Sequence, residues 1–95
     1  MYIGRYHFTG DPTELVAAYE RLMAGFDVAD LLVHVSIVEE DGLTILDACP
    51  DEATWRSFST SAEFRGALAA AGLPEPELEP LGTVQRVHAA AGVLA

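Results

Sequence analysis

The sequence predicts an α+β domain of element order β-α-β-β-α-β, with one antiparallel sheet and two helices on one of its faces. Three observations predict it. Four stretches alternate with period two, two stretches carry apolar residues at helical spacing, and each helical stretch opens on a capping residue. The 95 residues suffice for one domain, expected over 1–90 with 91–95 as a tail.

Tyr2 to Phe8 places Tyr2, Gly4, Tyr6 and Phe8 on one face and Ile3, Arg5 and His7 on the other, the pattern of a strand rich in aromatics. Thr9 and Gly10 end it. Asp11-Pro12-Thr13-Glu14 then reads as a helix start, with Asp11 as N-cap, Pro12 at the first helical position and Glu14 completing a capping box. Leu15, Val16, Tyr19, Leu22, Met23 and Phe26 form the apolar stripe of a helix of about four turns, which fades at Gly25. Leu31 to Glu39 is the second strand, with Val33, Val35 and Ile37 opposed to His34, Ser36 and Val38. Asp41-Gly42 between two apolar runs is a hairpin signal, because its central residues must accept positive φ. Leu43 to Cys49 is the third strand, closed by Pro50.

Asp51 caps the second helix, which carries Trp55, Phe58, Ala62, Phe64 and Leu68. The hydroxyl run 57–61 weakens it, since such side chains compete for backbone groups, so a bend is expected near Thr60 with Ser61 capping a fresh turn. Gly72 suits the C′ position and Pro74 forbids continuation. Pro74 to Pro80, with Glu75, Glu77 and Glu79, reads as a polar link, and Thr83 to Ala89 as the fourth strand. This order is a ferredoxin-like split βαβ arrangement. Helices on one face leave the other uncovered, with Ile3, Val84 and either the Val33 or the Val38 set upon it. An apolar sheet face of that kind marks an interface, so a homodimer built sheet to sheet is expected.

Composition excludes several classes. A 51% hydrophobic content with no low-complexity run belongs to a folded globule rather than a disordered acidic tail. A net charge of −10 opposes phosphate-backbone binding, so nucleic acid is not an expected partner. One cysteine cannot form an internal disulfide. No apolar run approaches the ~20 residues of a membrane span. Met1 to Phe8 lacks the layout of a signal peptide, so a cytoplasmic protein is expected.

The second helix reads Trp55-x-x-Phe58-x-x-Ser61-x-Glu63-Phe64, followed by Leu68 and Gly72, after a hairpin and before a Pro/Glu-rich link. This resembles the dimeric α/β-barrel superfamily, the antibiotic biosynthesis monooxygenase-like domains. Element order and length match over nearly the whole chain, and the helix motif is the part that is close residue by residue. The resemblance implies a homodimer whose two sheets close into a barrel, with a ligand cavity between sheet and helices of each subunit. The superfamily includes cofactor-free monooxygenases of polycyclic phenols, haem-degrading enzymes, polyketide cyclases and isomerases. Two departures stand out. The chain contains no asparagine, the residue that monooxygenase-type members commonly use in the cavity, and Leu68 stands where haem-degrading members place a ligand histidine.

Strand parity groups the polar residues that could carry chemistry. Arg5 and His7 share a face, as do Arg86 and His88, and the first and fourth strands are neighbours in this fold. Like charges facing each other across strands need an anionic partner. One reading is a site for an anion or developing enolate, with Arg5 and Arg86 supplying charge and His7 or His88 moving the proton. The other is that these arginines pair with carboxylates of a partner subunit or of Asp47. Tyr6, Tyr19, Trp55, Phe58 and His34 are candidates for lining a substrate cavity, core packing being the commoner role of such aromatic residues. The histidines lack the spacing of a local metal motif, and no metal or cofactor is expected. Cys49 has no basic neighbour in sequence to lower its pKa, which speaks against a catalytic thiolate. The reading that follows is a small-molecule enzyme acting without cofactor on a hydrophobic, enolisable aromatic or polyketide-like substrate. The alternative is a non-catalytic dimerising or ligand-binding module.

Overall fold

Strand β1, Tyr2–Thr9, is the centre of the fold. In the computed structural model, which describes residues 1–27 and 32–93, it pairs antiparallel with β3 (Gly42–Cys49) on one side and β4 (Glu77–Thr83) on the other. Strand β2 (His34–Glu39) pairs with β3, giving the sheet order β2-β3-β1-β4. This α+β topology is compatible with a ferredoxin-like fold. The predicted second strand begins at His34 rather than Leu31, and Leu31 lies outside the described residues.

The register sets the two faces. Tyr2, Gly4, Tyr6 and Phe8 stand opposite Cys49, Asp47, Ile45 and Leu43, and these in turn opposite His34, Ser36 and Val38. This face meets the helices: Tyr2, Tyr6, Phe8, Leu43, Ile45 and Cys49 share one core cluster with Leu15, Tyr19, Trp55, Phe64 and Leu68. Gly4 has a specific reason to be glycine. A Cβ there would lie 1.8 Å from Cε2 of Trp55, so the indole lies directly on the strand backbone. Trp55 is 2% exposed and its ring stacks at a tilt 6.0 Å from Tyr2 and 5.9 Å from Tyr6. Such ring pairs each contribute about 0.5–1.5 kcal/mol beyond their area.

Helix α1, Pro12–Met23, starts as expected, with the Asp11 carboxylate accepting from the Glu14 amide at 3.4 Å. It runs about three turns rather than four, since 12 residues at 3.6 per turn end at Met23. Phe26 follows in a turn, its amide donating to the Met23 carbonyl. The bend expected near Thr60 is a full break into α2 (Glu52–Ser59) and α3 (Ala62–Ala71), so among the described residues three helices cover the sheet where two were expected. Ser61 makes the joint: its hydroxyl donates to the Phe58 carbonyl at 2.8 Å and accepts from the Phe64 amide at 3.1 Å. Gly72, at φ +90°, ends α3 in the left-handed conformation.

The last strand differs most from expectation. It occupies Glu77–Thr83, starting inside the Pro74–Pro80 stretch read as a polar link, and not Thr83–Ala89. Charge and proline mislead here because β4 is an edge strand. Half of its amides face outward, so Pro80 sits opposite Gly4 at a register shift without breaking a ladder, and glutamates are ordinary on such an edge. The Val84 amide still donates to the Met1 carbonyl at 2.7 Å, one residue past the paired stretch. Arg86, Val87 and His88 lie past the end of β4 and are exposed. No helix among the described residues is long and apolar enough to cross a membrane.

Candidate functional site

The polar residues expected to gather on one sheet surface separate into three places. Arg5 and His7 lie on the open face, away from the helices. Arg86 and His88 lie past the end of β4 and do not join them, because the strand that was to align them ends at Thr83. His34 lies on the opposite, helix-facing side, directly across from Asp47.

On the open face Arg5 pairs with Glu79 at 3.6 Å and donates to the Thr44 hydroxyl at 3.3 Å. His7 is 7% exposed. Its Nδ1 meets the Thr44 hydroxyl at 2.8 Å and lies 3.5 Å from Glu39, while Nε2 lies 3.5 Å from Asp41. The Thr44 hydroxyl in turn donates to Glu39. Arg5 thus pairs with a carboxylate, but with Glu79 of its own chain and not with Asp47, which faces His34 on the other side of the sheet. Around this cluster lie Ile3, Val35, Ile37 and Leu46, the apolar part of the open face, so the Val33 set and not the Val38 set falls there.

The helix-facing side encloses a cavity lined by Tyr6, Phe8, Tyr19, Leu22, Met23, Phe26, His34, Ile45, Asp47, Phe58, Phe64 and Leu68. Its free volume is about 40 Å³, room for roughly one or two waters. The wall is almost wholly apolar except for one connected group. The Tyr19 hydroxyl lies 2.7 Å from His34 Nε2, and His34 Nδ1 lies 3.5 Å from the Asp47 carboxylate. Asp47 can only accept, so it calls for the proton on Nδ1; Nε2 then accepts from the Tyr19 O–H. The His34 and Tyr19 rings stack at 11°. Burial, the largest cause, pushes the Tyr19 phenol above its ordinary pKa, which keeps it a proton donor at neutral pH.

Tyr6 also lines this cavity. Among the described residues its hydroxyl is buried with no hydrogen-bond partner, and so is the indole nitrogen of Trp55 behind it. Burial first, then the nearby Asp47 carboxylate, push the Tyr6 phenol far above its ordinary value. Of the five residues read as substrate-binding, Tyr6, Tyr19, His34 and Phe58 line the one cavity, while Trp55 packs under it against Gly4. Asp47 is the residue that sequence reasoning did not place in a site. Its signal was an acidic residue with apolar side chains at alternate positions, on the face shared with Ile45.

Cys49 is buried, and burial raises its thiol pKa, in keeping with an unreactive role. No group of His, Cys, Asp and Glu among the described residues is arranged to hold a metal ion.

Fold and site together define an α+β domain with a closed sheet face, an open sheet face and a histidine-bearing cavity between helices and sheet. No protein-family model matches the chain, and no curated protein matches it in sequence.

Proposed function

We propose that the protein is a small-molecule enzyme of the dimeric α/β-barrel type, working without cofactor on a hydrophobic, enolisable aromatic or polyketide-like substrate in the helix–sheet cavity. The Asp47–His34–Tyr19 chain at the wall of an apolar cavity carries the reading. It has the parts of a proton relay. Tyr19 Oη takes a proton from the carbon next to a substrate carbonyl as its own proton passes to His34 Nε2, and Asp47 stabilises the imidazolium. The resulting carbanion would cyclise onto a second carbonyl, or react with dioxygen, one oxygen atom entering the product and the other leaving as water. The proton-moving role expected of His7 or His88 thereby passes to His34, because His7 is engaged on the open face and His88 lies beyond the sheet.

The same reading pairs two copies through the open face. Val35 and Ile37 are 39% and 40% exposed there, beside Ile3 and Leu46, an apolar strip that a second sheet would cover.

A deuterium-exchange measurement tests the enzyme reading. Anthrone, an enolisable tricyclic ketone, is followed by NMR in D2O with the wild-type protein and with His34→Ala. The wild type should accelerate exchange of the methylene protons, and His34→Ala should lose about 10²-fold or more of that acceleration. Equal rates in the two proteins would remove the enzyme reading.

The alternative, a non-catalytic dimerising or ligand-binding module, is favoured by one observation. A free volume of about 40 Å³ is well below that of a bicyclic molecule, so the cavity side chains as they stand fill most of the space.

A further inference from the structure

Tyr6 has a property that packing alone does not explain. It is 2% exposed, lines the cavity, and its hydroxyl has no partner at hydrogen-bond distance among the described residues, with the Asp47 carboxylate and the Trp55 indole as its polar neighbours. A buried hydroxyl without a partner costs about 1–3 kcal/mol, and phenylalanine would fill the same place without that cost. The other polar side chains of the wall are engaged with one another: Tyr19 with His34, and His34 with Asp47. Trp55 has the second unpartnered donor, but the indole does not line the cavity.

We propose that Tyr6 is the residue that selects the cavity's ligand, its O–H donating to a carbonyl oxygen on an otherwise apolar ring. This rests on the proposed use of the cavity and adds to it which group recognises the ligand and by what atom. Tyr6 stays protonated through the neutral range, so it is always a donor. It cannot hand its proton to His34 directly, since Nε2 is occupied by Tyr19, and this separates recognition at Tyr6 from proton movement at Tyr19. The half-buried side chains Leu22, Met23 and Phe26 at the helical edge of the cavity are the ones that must move for a ring to enter, and an unbranched thioether such as Met23 repacks readily.

The test compares 1-indanone with indane, two bicyclic molecules of the same outline that differ by the carbonyl. Binding to the full chain is read by fluorescence of Trp55, the one tryptophan, whose ring centre lies 5.9 Å from that of Tyr6. The wild type should prefer 1-indanone by about tenfold, the effect of satisfying one buried donor. In Tyr6→Phe the preference should shrink to about twofold or less, with the thermal midpoint unchanged or raised, because the wild-type hydroxyl makes no bond to lose. Tyr19→Phe should keep the preference.

Equal affinity of the wild type for the two compounds would overturn the proposal, whatever the variants do. So would a preference that survives in Tyr6→Phe, binding of neither compound, or a Tyr6→Phe midpoint lowered by several degrees. A carbonyl preference lost in Tyr6→Phe, together with no His34-dependent exchange of anthrone, would support recognition by Tyr6 while removing the enzyme reading.

Discussion

At the scale of single residues, two positions on β1 have consequences out of proportion to their size. Gly4 lets the Trp55 indole lie on the strand, and a methyl group there would land 1.8 Å from the ring. Gly4→Ala should therefore destabilise the domain by about 2–3 kcal/mol, the upper range for overpacking, and its urea midpoint should fall accordingly. An unchanged midpoint would mean that the indole can move aside. Tyr6 is the other position. Its phenol, that of Tyr19 and the Cys49 thiol all have raised pKa values, burial being the largest cause in each. The unfolded chain loses these protons near the ordinary values of 10.0 for tyrosine and 9.0 for cysteine, while the folded chain keeps them. Stability should thus be complete below about pH 9 and fall as pH rises toward the folded values. Urea midpoints measured across that range should decline more gently in Tyr6→Phe. Titration of every tyrosine near pH 10 in the folded protein, seen by phenolate absorbance, would contradict this.

At the scale of elements, the joint between α2 and α3 depends on one hydroxyl. Ser61 accepts from the first turn of α3 and donates to the last turn of α2, so it stabilises two helix ends at once. Ser61→Ala should cost about 1 kcal/mol and lower the thermal midpoint by roughly 4–8 °C. Calorimetry showing no shift would mean that neither bond contributes. The bend was legible in the sequence, because a serine run followed by a capping position states its own geometry. The last strand was not. Alternation in 83–89 is a local pattern, whereas strand formation needs a neighbour, and β1 supplies one only for Glu77–Thr83. The two-residue period is present in both stretches. Only pairing decides between them.

At the scale of the whole molecule, the open face and the net charge of −10 act against each other. Two copies docking through Ile3, Val35, Ile37 and Leu46 would bury an apolar strip, but would also bring together Glu39, Glu77 and Glu79 of each. The proposed dimer should therefore tighten as salt is raised, since screening weakens the repulsion more than the apolar contact. Native mass spectrometry and sedimentation at low and high salt check this, with Ile37→Asp expected to shift the wild-type dimer to monomer. A monomer at every salt concentration would remove the sheet-to-sheet pairing.

The sequence by itself determined the order of the elements, the helix caps at Asp11, Asp51 and Ser61, the aromatic core face of β1, and the existence of an uncovered sheet face. Each of these is encoded by neighbours within one turn or one strand. Tertiary structure alone decided which polar residues meet. Parity places His7 and His34 on a face of their own strands, but only the register Asp47 to His34 and the packing of α1 bring Tyr19, His34 and Asp47 together. The same long-range pairing ends β4 at Thr83 and leaves Arg86 and His88 outside. Contacts between residues far apart in the chain depend on strand ends and register, and these are set by what the neighbouring strand can offer.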